Sequence, residues 1–152
     1  MTTDLAPSHW PVYGHDWAVD FLRKSMAHRR TRHAYLLLGP QNIGKTHLAH
    51  AYAMTLMCEH EDEAARPCMQ CASCKRVISG NHPDMLYSHT DDKTGALRID
   101  AIRDVMRMIA LKPFSSRYRI AIFEDFDNAR PQAQDALLKT LEEPPPHAVI
   151  LL

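Results

Sequence analysis

The chain has 152 residues, enough for one domain with a substantial core. Its 18 Lys and Arg balance its 18 Asp and Glu, so no overall basic field draws it to nucleic acid, and any such contact has to come from a local patch. No apolar run approaches the roughly 18 residues of a membrane span, and the first ten residues hold no apolar signal core, so a cytoplasmic protein with no membrane partner is expected.

Residues 1–12, with Pro7 and Pro11, read as a loose lead-in segment. From there Trp17, Phe21, Leu22, Ser25 and Met26 recur at helical spacing, and a helix is predicted from Asp16 to about His28. The basic run 28–33 reads as its solvated end, where cations meet the negative end of the helix dipole. Ala34 to Leu38 is an apolar run that predicts a buried strand, and His47 to Met57, free of Gly and Pro, predicts a second helix.

Between that strand and helix lies Gly39-Pro40-Gln41-Asn42-Ile43-Gly44-Lys45-Thr46, which fits G-x-x-x-x-G-K-[ST] in the context the motif requires. The glycines let the backbone curl so that successive N–H groups point inward, and these dipoles with the helix N-terminus cradle phosphate. Lys45 supplies a mobile point charge for the β- and γ-phosphates, and Thr46 a hydroxyl for Mg²⁺. A nucleotide such as ATP is therefore the expected ligand.

All four cysteines follow within 17 positions: Cys58, Cys68, Cys71 and Cys74. Tetrahedral zinc takes four thiolates at close spacing, and a set with no open position is structural rather than catalytic. A polar insertion at 58–82 has little apolar surface to bury, so a metal is expected to hold it together; His60 is a much weaker candidate ligand. A short helix is predicted at 75–79 and a strand at 84–89.

Ile99, Ile102, Val105, Met106 and Ile109 predict a helix that ends at Lys112-Pro113. Arg103 and Arg107 lie one turn apart on it and Arg98 precedes it, with Asp100 and Asp104 placed to pair with the arginines. Residues 119–124 predict a buried strand ending in Glu124-Asp125, and Pro131 opens a helix that Pro144-Pro145-Pro146 stops. Residues 148–152 predict a fourth strand, and a chain stopping on an apolar strand is expected to be part of a longer protein. Alternating strands and helices predict an α/β fold: a parallel sheet with helices on both faces, incomplete at the C-terminal end.

Glu124 and Asp125 are the candidate catalytic pair. A hydrolytic phosphate-loop site usually ends a strand in Asp-Glu, the Asp holding Mg²⁺ through water and the Glu polarising the attacking water. Here the order is reversed, and successive strand residues point to opposite faces. Binding is expected, and turnover by this chain is expected to be weak or absent.

Several of these stretches together resemble one family. Gly14-His15, HAYLLLGPQNIGKTHLA (33–49), the four cysteines, HPDM (82–85), residues 98–125 and QAQDALLKTLEEPPPHAVILL (132–152) are similar to the N-terminal domain of bacterial DNA polymerase III clamp-loader subunits, the delta-prime and gamma/tau group of AAA+ ATPases. The resemblance implies a RecA-like AAA+ domain over 13–152 with a zinc-binding insertion. It implies partner subunits (gamma/tau and delta) in a five-membered arc that loads a ring-shaped sliding clamp onto primed DNA. It also implies an arginine finger, from a Ser-Arg-Cys motif beyond the last strand, donated between subunits, and DNA phosphate contact on the inside of the arc, for which Arg98, Arg103 and Arg107 are the candidates. Glu124-Asp125-Phe126-Asp127 looks more like delta-prime, often a rigid stator, whereas the intact Gly44-Lys45-Thr46 departs from the degraded loop of many delta-prime members. A gamma/tau motor is the alternative, and a stand-alone nucleotide switch or kinase is a more distant one.

Overall fold

Residues 10–88 and 90–152 are described by a computed structural model. They fall into two compact units, one of residues 10–31 and 39–78, the other of 32–38 and 79–152. His89, at the end of a predicted strand, lies outside the described residues, as does most of the lead-in segment 1–12. The part of that segment that is described is not loose: Trp10 is buried, with its ring 6.2 Å from that of Tyr52.

In the first unit α1 (Asp16–Ala27) forms where the periodicity placed it, but with a different buried face. Ala18, Val19 and Leu22 are buried, whereas Trp17 is 78% and Phe21 61% exposed. α2 (Lys45–Met57) buries nearly every residue from Leu48 on, so it is apolar all round, as an interior helix must be. A short 3-10 turn, Glu63–Ala65, and α3 (Ala72–Ile78) complete the unit.

The second unit is built on a four-stranded parallel sheet in the order β1-β4-β3-β2, comprising β1 (Ala34–Tyr35), β2 (Met85–Ser88), β3 (Arg119–Phe123) and β4 (Ala148–Leu151). Parallel neighbours need crossovers, which α4 (Ile99–Ile109) and α5 (Pro131–Glu142) supply. Ile102, Val105 and Ile109 of α4 and Ala133 and Leu137 of α5 pack on Ala121, Phe123 and Ile150 of the sheet. Each large aliphatic side chain sealed there contributes about 1.5–3 kcal/mol. A parallel bridge between Leu97 and Ala129 brings the starts of α4 and α5 level, so the two helices open side by side.

β1 differs from the buried strand predicted over 34–38. It is an edge strand bonded only to β4 among the described residues, and Leu36 is 60% and Leu38 83% exposed. Ladder bonding continues past its formal end, since Leu37 N–H donates to the Leu152 carbonyl at 2.8 Å. The apolar run is real, but among the described residues only one side of the strand meets a neighbour.

Asp84, just ahead of β2, ties the sheet to the loop before β3. Its fully buried carboxylate accepts from the backbone N–H groups of Phe114 (2.6 Å), Ser115 (2.8 Å) and Ser116 (2.9 Å) and from the Ser115 hydroxyl (3.3 Å). Burial pushes its pKa up, but these donors outweigh burial and hold it below the usual carboxylate range. His82 sits beneath it, with Nδ1 accepting from Asp84 N–H at 3.1 Å.

Candidate nucleotide-binding and metal sites

The candidate phosphate loop, residues 39–46, is shaped by two left-handed residues, Asn42 at φ 60° and Gly44 at φ 100°. Asparagine tolerates that region and glycine occupies it freely. Gly44 then occupies the N-cap position of α2 with no side-chain cap, so the first N–H groups of the helix keep their capacity for an anion. Lys45 folds back across the loop, its ammonium donating to the carbonyls of Gly39 (2.7 Å) and Pro40 (2.8 Å). The flexible charge is thus held over the curl formed by residues 39–44. Thr46 is exposed at the first turn of α2. Uncapped N–H groups, a held lysine and a first-turn hydroxyl are the donor set a phosphate–Mg²⁺ group requires, so the residues fit it.

The four cysteines, spread over 17 residues of sequence, meet in space. Their Sγ atoms all lie within 4.8 Å of one another. A zinc tetrahedron with bonds near 2.3 Å sets sulfurs about 3.8 Å apart, so a small contraction closes it. Backbone donors already point at the sulfurs: Cys68 N–H to Cys58 Sγ at 3.4 Å, Cys71 N–H to Cys68 Sγ at 3.3 Å and Cys74 N–H to Cys71 Sγ at 3.3 Å. Met69, left-handed at φ 57°, makes the tight turn that permits this. The Gln70 and Cys71 N–H groups lower the Cys68 pKa to about 6, whereas burial raises Cys58 and Cys74. All four are free thiols, and the set fits a structural metal. His60 is engaged elsewhere, its Nδ1 accepting from Asp62 N–H at 3.1 Å.

At the carboxyl end of β3, Glu124 and Asp125 are both exposed. Asp125 is left-handed at φ 51°, so the chain turns out of the strand between the two carboxylates. Burial first, and then the Glu124 charge, raise the Tyr87 pKa, so a neutral phenol on β2 lies in the field of Glu124.

On α4, Arg103 and Arg107 are exposed and form the expected pairs with Asp100 (4.0 Å) and Asp104 (3.3 Å), while Arg98 reaches Asp91 at 3.8 Å. Exposed pairs of this kind contribute at most about 1 kcal/mol, so they exchange readily for another anion. Two cations that the linear pattern did not single out join them. Lys139 of α5 lines a groove of about 450 Å³ with Arg103 and Arg107. Arg130, just before α5, lines a cavity of about 300 Å³ with Arg98 and Gln132 at the level openings of the two helices. Only the parallel packing of α4 and α5 makes these groups neighbours.

Comparison with known proteins adds the following. The family described as "DNA polymerase III, delta subunit" matches residues 14–152. The tau subunit of DNA polymerase III from Bacillus subtilis is 33% identical over 141 residues, 93% of this chain and 24% of that protein. The delta' subunit from Pseudomonas aeruginosa is 34% identical over 120 residues, 79% of this chain and 36% of that protein. A gamma subunit-related protein of known structure from Thermotoga maritima is 27% identical, covers 58% of this chain and 30% of its own, and superposes with a TM-score of 0.43. The chain thus spans roughly a quarter to a third of the length of the curated relatives it matches.

Proposed function

Since the chain belongs to the DNA polymerase III delta-subunit family of AAA+ clamp-loader subunits, we propose that it is the nucleotide-binding part of a delta-prime-like subunit that helps load the sliding clamp onto primed DNA in replication. The observation that carries the nucleotide part of this reading is the loop 39–46, with Lys45 held over an uncapped helix start. ATP binds there, its charge met by Lys45 and the α2 N-terminus, with Thr46 offered to Mg²⁺. Zinc, held by Cys58, Cys68, Cys71 and Cys74, orders the insertion and does no chemistry. The partners are the gamma/tau and delta subunits, the clamp and primed DNA, and the setting is the cytoplasm. Duplex phosphates are met by Arg98, Arg103 and Arg107, with Arg130 and Lys139 beside them; such contacts position the protein and read no sequence.

The reversed Glu124-Asp125 pair, with the left-handed turn at Asp125, argues that this subunit binds nucleotide without turning it over. The intact loop favours the second reading, an active motor of the gamma/tau kind, while the identities of 33% to a tau subunit and 34% to a delta' subunit do not separate the two. One reconstituted loader containing the full-length protein separates the two. With only this subunit's phosphate loop intact, ATP turnover is expected to stay near background and to rise when Glu124→Asp and Asp125→Glu are combined. Turnover by the unaltered subunit at the motor rate overturns the delta-prime-like reading. In the same assembly, Arg103→Ala with Arg107→Ala is expected to lower the salt dependence of primed-DNA binding; an unchanged slope removes these residues from the DNA surface.

A further inference from the structure

His15 opens α1, and its backbone carbonyl accepts from Ala18 and Val19 N–H, both at 3.0 Å. Its side chain reaches 28 positions along the chain, where Nε2 bonds the carbonyl of Ile43 in the phosphate loop. A carbonyl only accepts, so Nε2 carries the proton. The ring also lies against Gly44, where an added Cβ would stand 3.5 Å from Nε2. This imidazole therefore touches the one peptide unit that leads into the uncapped start of α2.

We infer that His15 is a positioning residue for the nucleotide: it clamps the Ile43–Gly44 peptide plane so that the Gly44 N–H faces the phosphate. In a trans peptide the C=O and the following N–H point in opposite directions. Fixing the Ile43 carbonyl on the His15 side turns the Gly44 N–H the other way, to the side left for an anion. Gly44 has no side chain to restrain it and sits at φ 100°, so without an external hold this plane is free to flip. The hold comes from a rigid element, since Ala18, Val19 and Leu22 bury the start of α1. Gly44 is required for its φ, since an added Cβ would meet the ring only at ordinary van der Waals distance.

This inference rests on the phosphate-loop reading, and the experiment keeps the two apart. In the chain, ¹⁵N relaxation is measured for Ile43, Gly44 and Lys45, and ATP affinity is titrated, for the unaltered protein, His15→Ala, His15→Gln and Lys45→Ala. Gln carries an N–H at similar reach. His15→Ala is expected to lower the loop order parameters from about 0.85 towards 0.6 and to weaken ATP about five-fold, the effect of one net hydrogen bond. His15→Gln is expected to restore both, and thermal stability to change little in either variant. Loop order and affinity unchanged in His15→Ala overturn the inference, as does a loss that His15→Gln fails to restore. If Lys45→Ala binds ATP as the unaltered chain does, the phosphate-loop reading fails, while the relaxation data still decide whether His15 holds the peptide plane.

Discussion

Removing metal from the chain with a strong chelator, or replacing Cys71 by Ser, is expected to unfold the segment from Cys58 to Ile78 while leaving the parallel sheet intact. The segment has little else to hold it. Residues 59–63 are exposed, and α3 buries only Ser73, Cys74 and Val77. Four thiols within 4.8 Å of one another would repel once ionised without a cation between them. Zinc binding to small peptides of this kind contributes about 10–16 kcal/mol at neutral pH, far above the burial available here. Metal analysis should give one equivalent per chain, and cobalt substitution should give a tetrahedral thiolate spectrum that Cys71→Ser abolishes. A chain that retains the order of 58–78 after metal is stripped would contradict the zinc assignment.

Asp84→Ala is expected to destabilise the protein by about 2–4 kcal/mol, because three backbone N–H groups and one hydroxyl lose a buried ionised acceptor together. For a chain of this size that corresponds to a fall in Tm of order 10 °C, measurable by thermal denaturation. Asp84→Asn, which keeps one acceptor oxygen, should lose roughly half as much. The pH dependence follows from the direction of the shift. A folded pKa below the unfolded carboxylate value of about 3.9 gives stability that is fully present above that value and is lost as pH falls through the folded pKa. The gap between the unaltered protein and Asp84→Asn should therefore be widest at neutral pH and close in acid. A gap that is constant from pH 7 to pH 2 would show that the carboxylate charge is not what holds the 114–116 loop.

The local code of the chain carried most of its elements. Apolar spacing placed α1, α2, α4 and α5 within a few residues of their ends, and Pro131 marked the start of α5. Short-range chemistry was also legible: the two C-x-x-C steps bring Cys68, Cys71 and Cys74 together because the knuckle at Met69 is a local turn. Hidden from the linear pattern were relations between distant positions. HPDM could be quoted as a stretch, yet nothing in it says that Asp84 would meet the N–H groups of Phe114 to Ser116, 30 to 32 residues away. Lys139 became a neighbour of Arg103 and Arg107 only through the side-by-side packing of two crossover helices. The inward face of α1 was not legible, because periodicity cannot choose between Trp17 and Val19, whose exposure depends on what each side meets. β1 likewise read as buried because an apolar run does not reveal whether it lies at the edge or the centre of a sheet.

The loop from Gly39 to Thr46 is the centre of the functional account, and nucleotide titration against the chain with and without Lys45→Ala tests it most directly. Lys45 supplies the charge held over the loop by the Gly39 and Pro40 carbonyls. The account predicts saturable, Mg²⁺-dependent ATP binding that weakens at least about ten-fold in Lys45→Ala, as expected when a charge-assisted contact worth about 1.5–3 kcal/mol is lost. Equal affinity in the two proteins, or no binding by either, would contradict it.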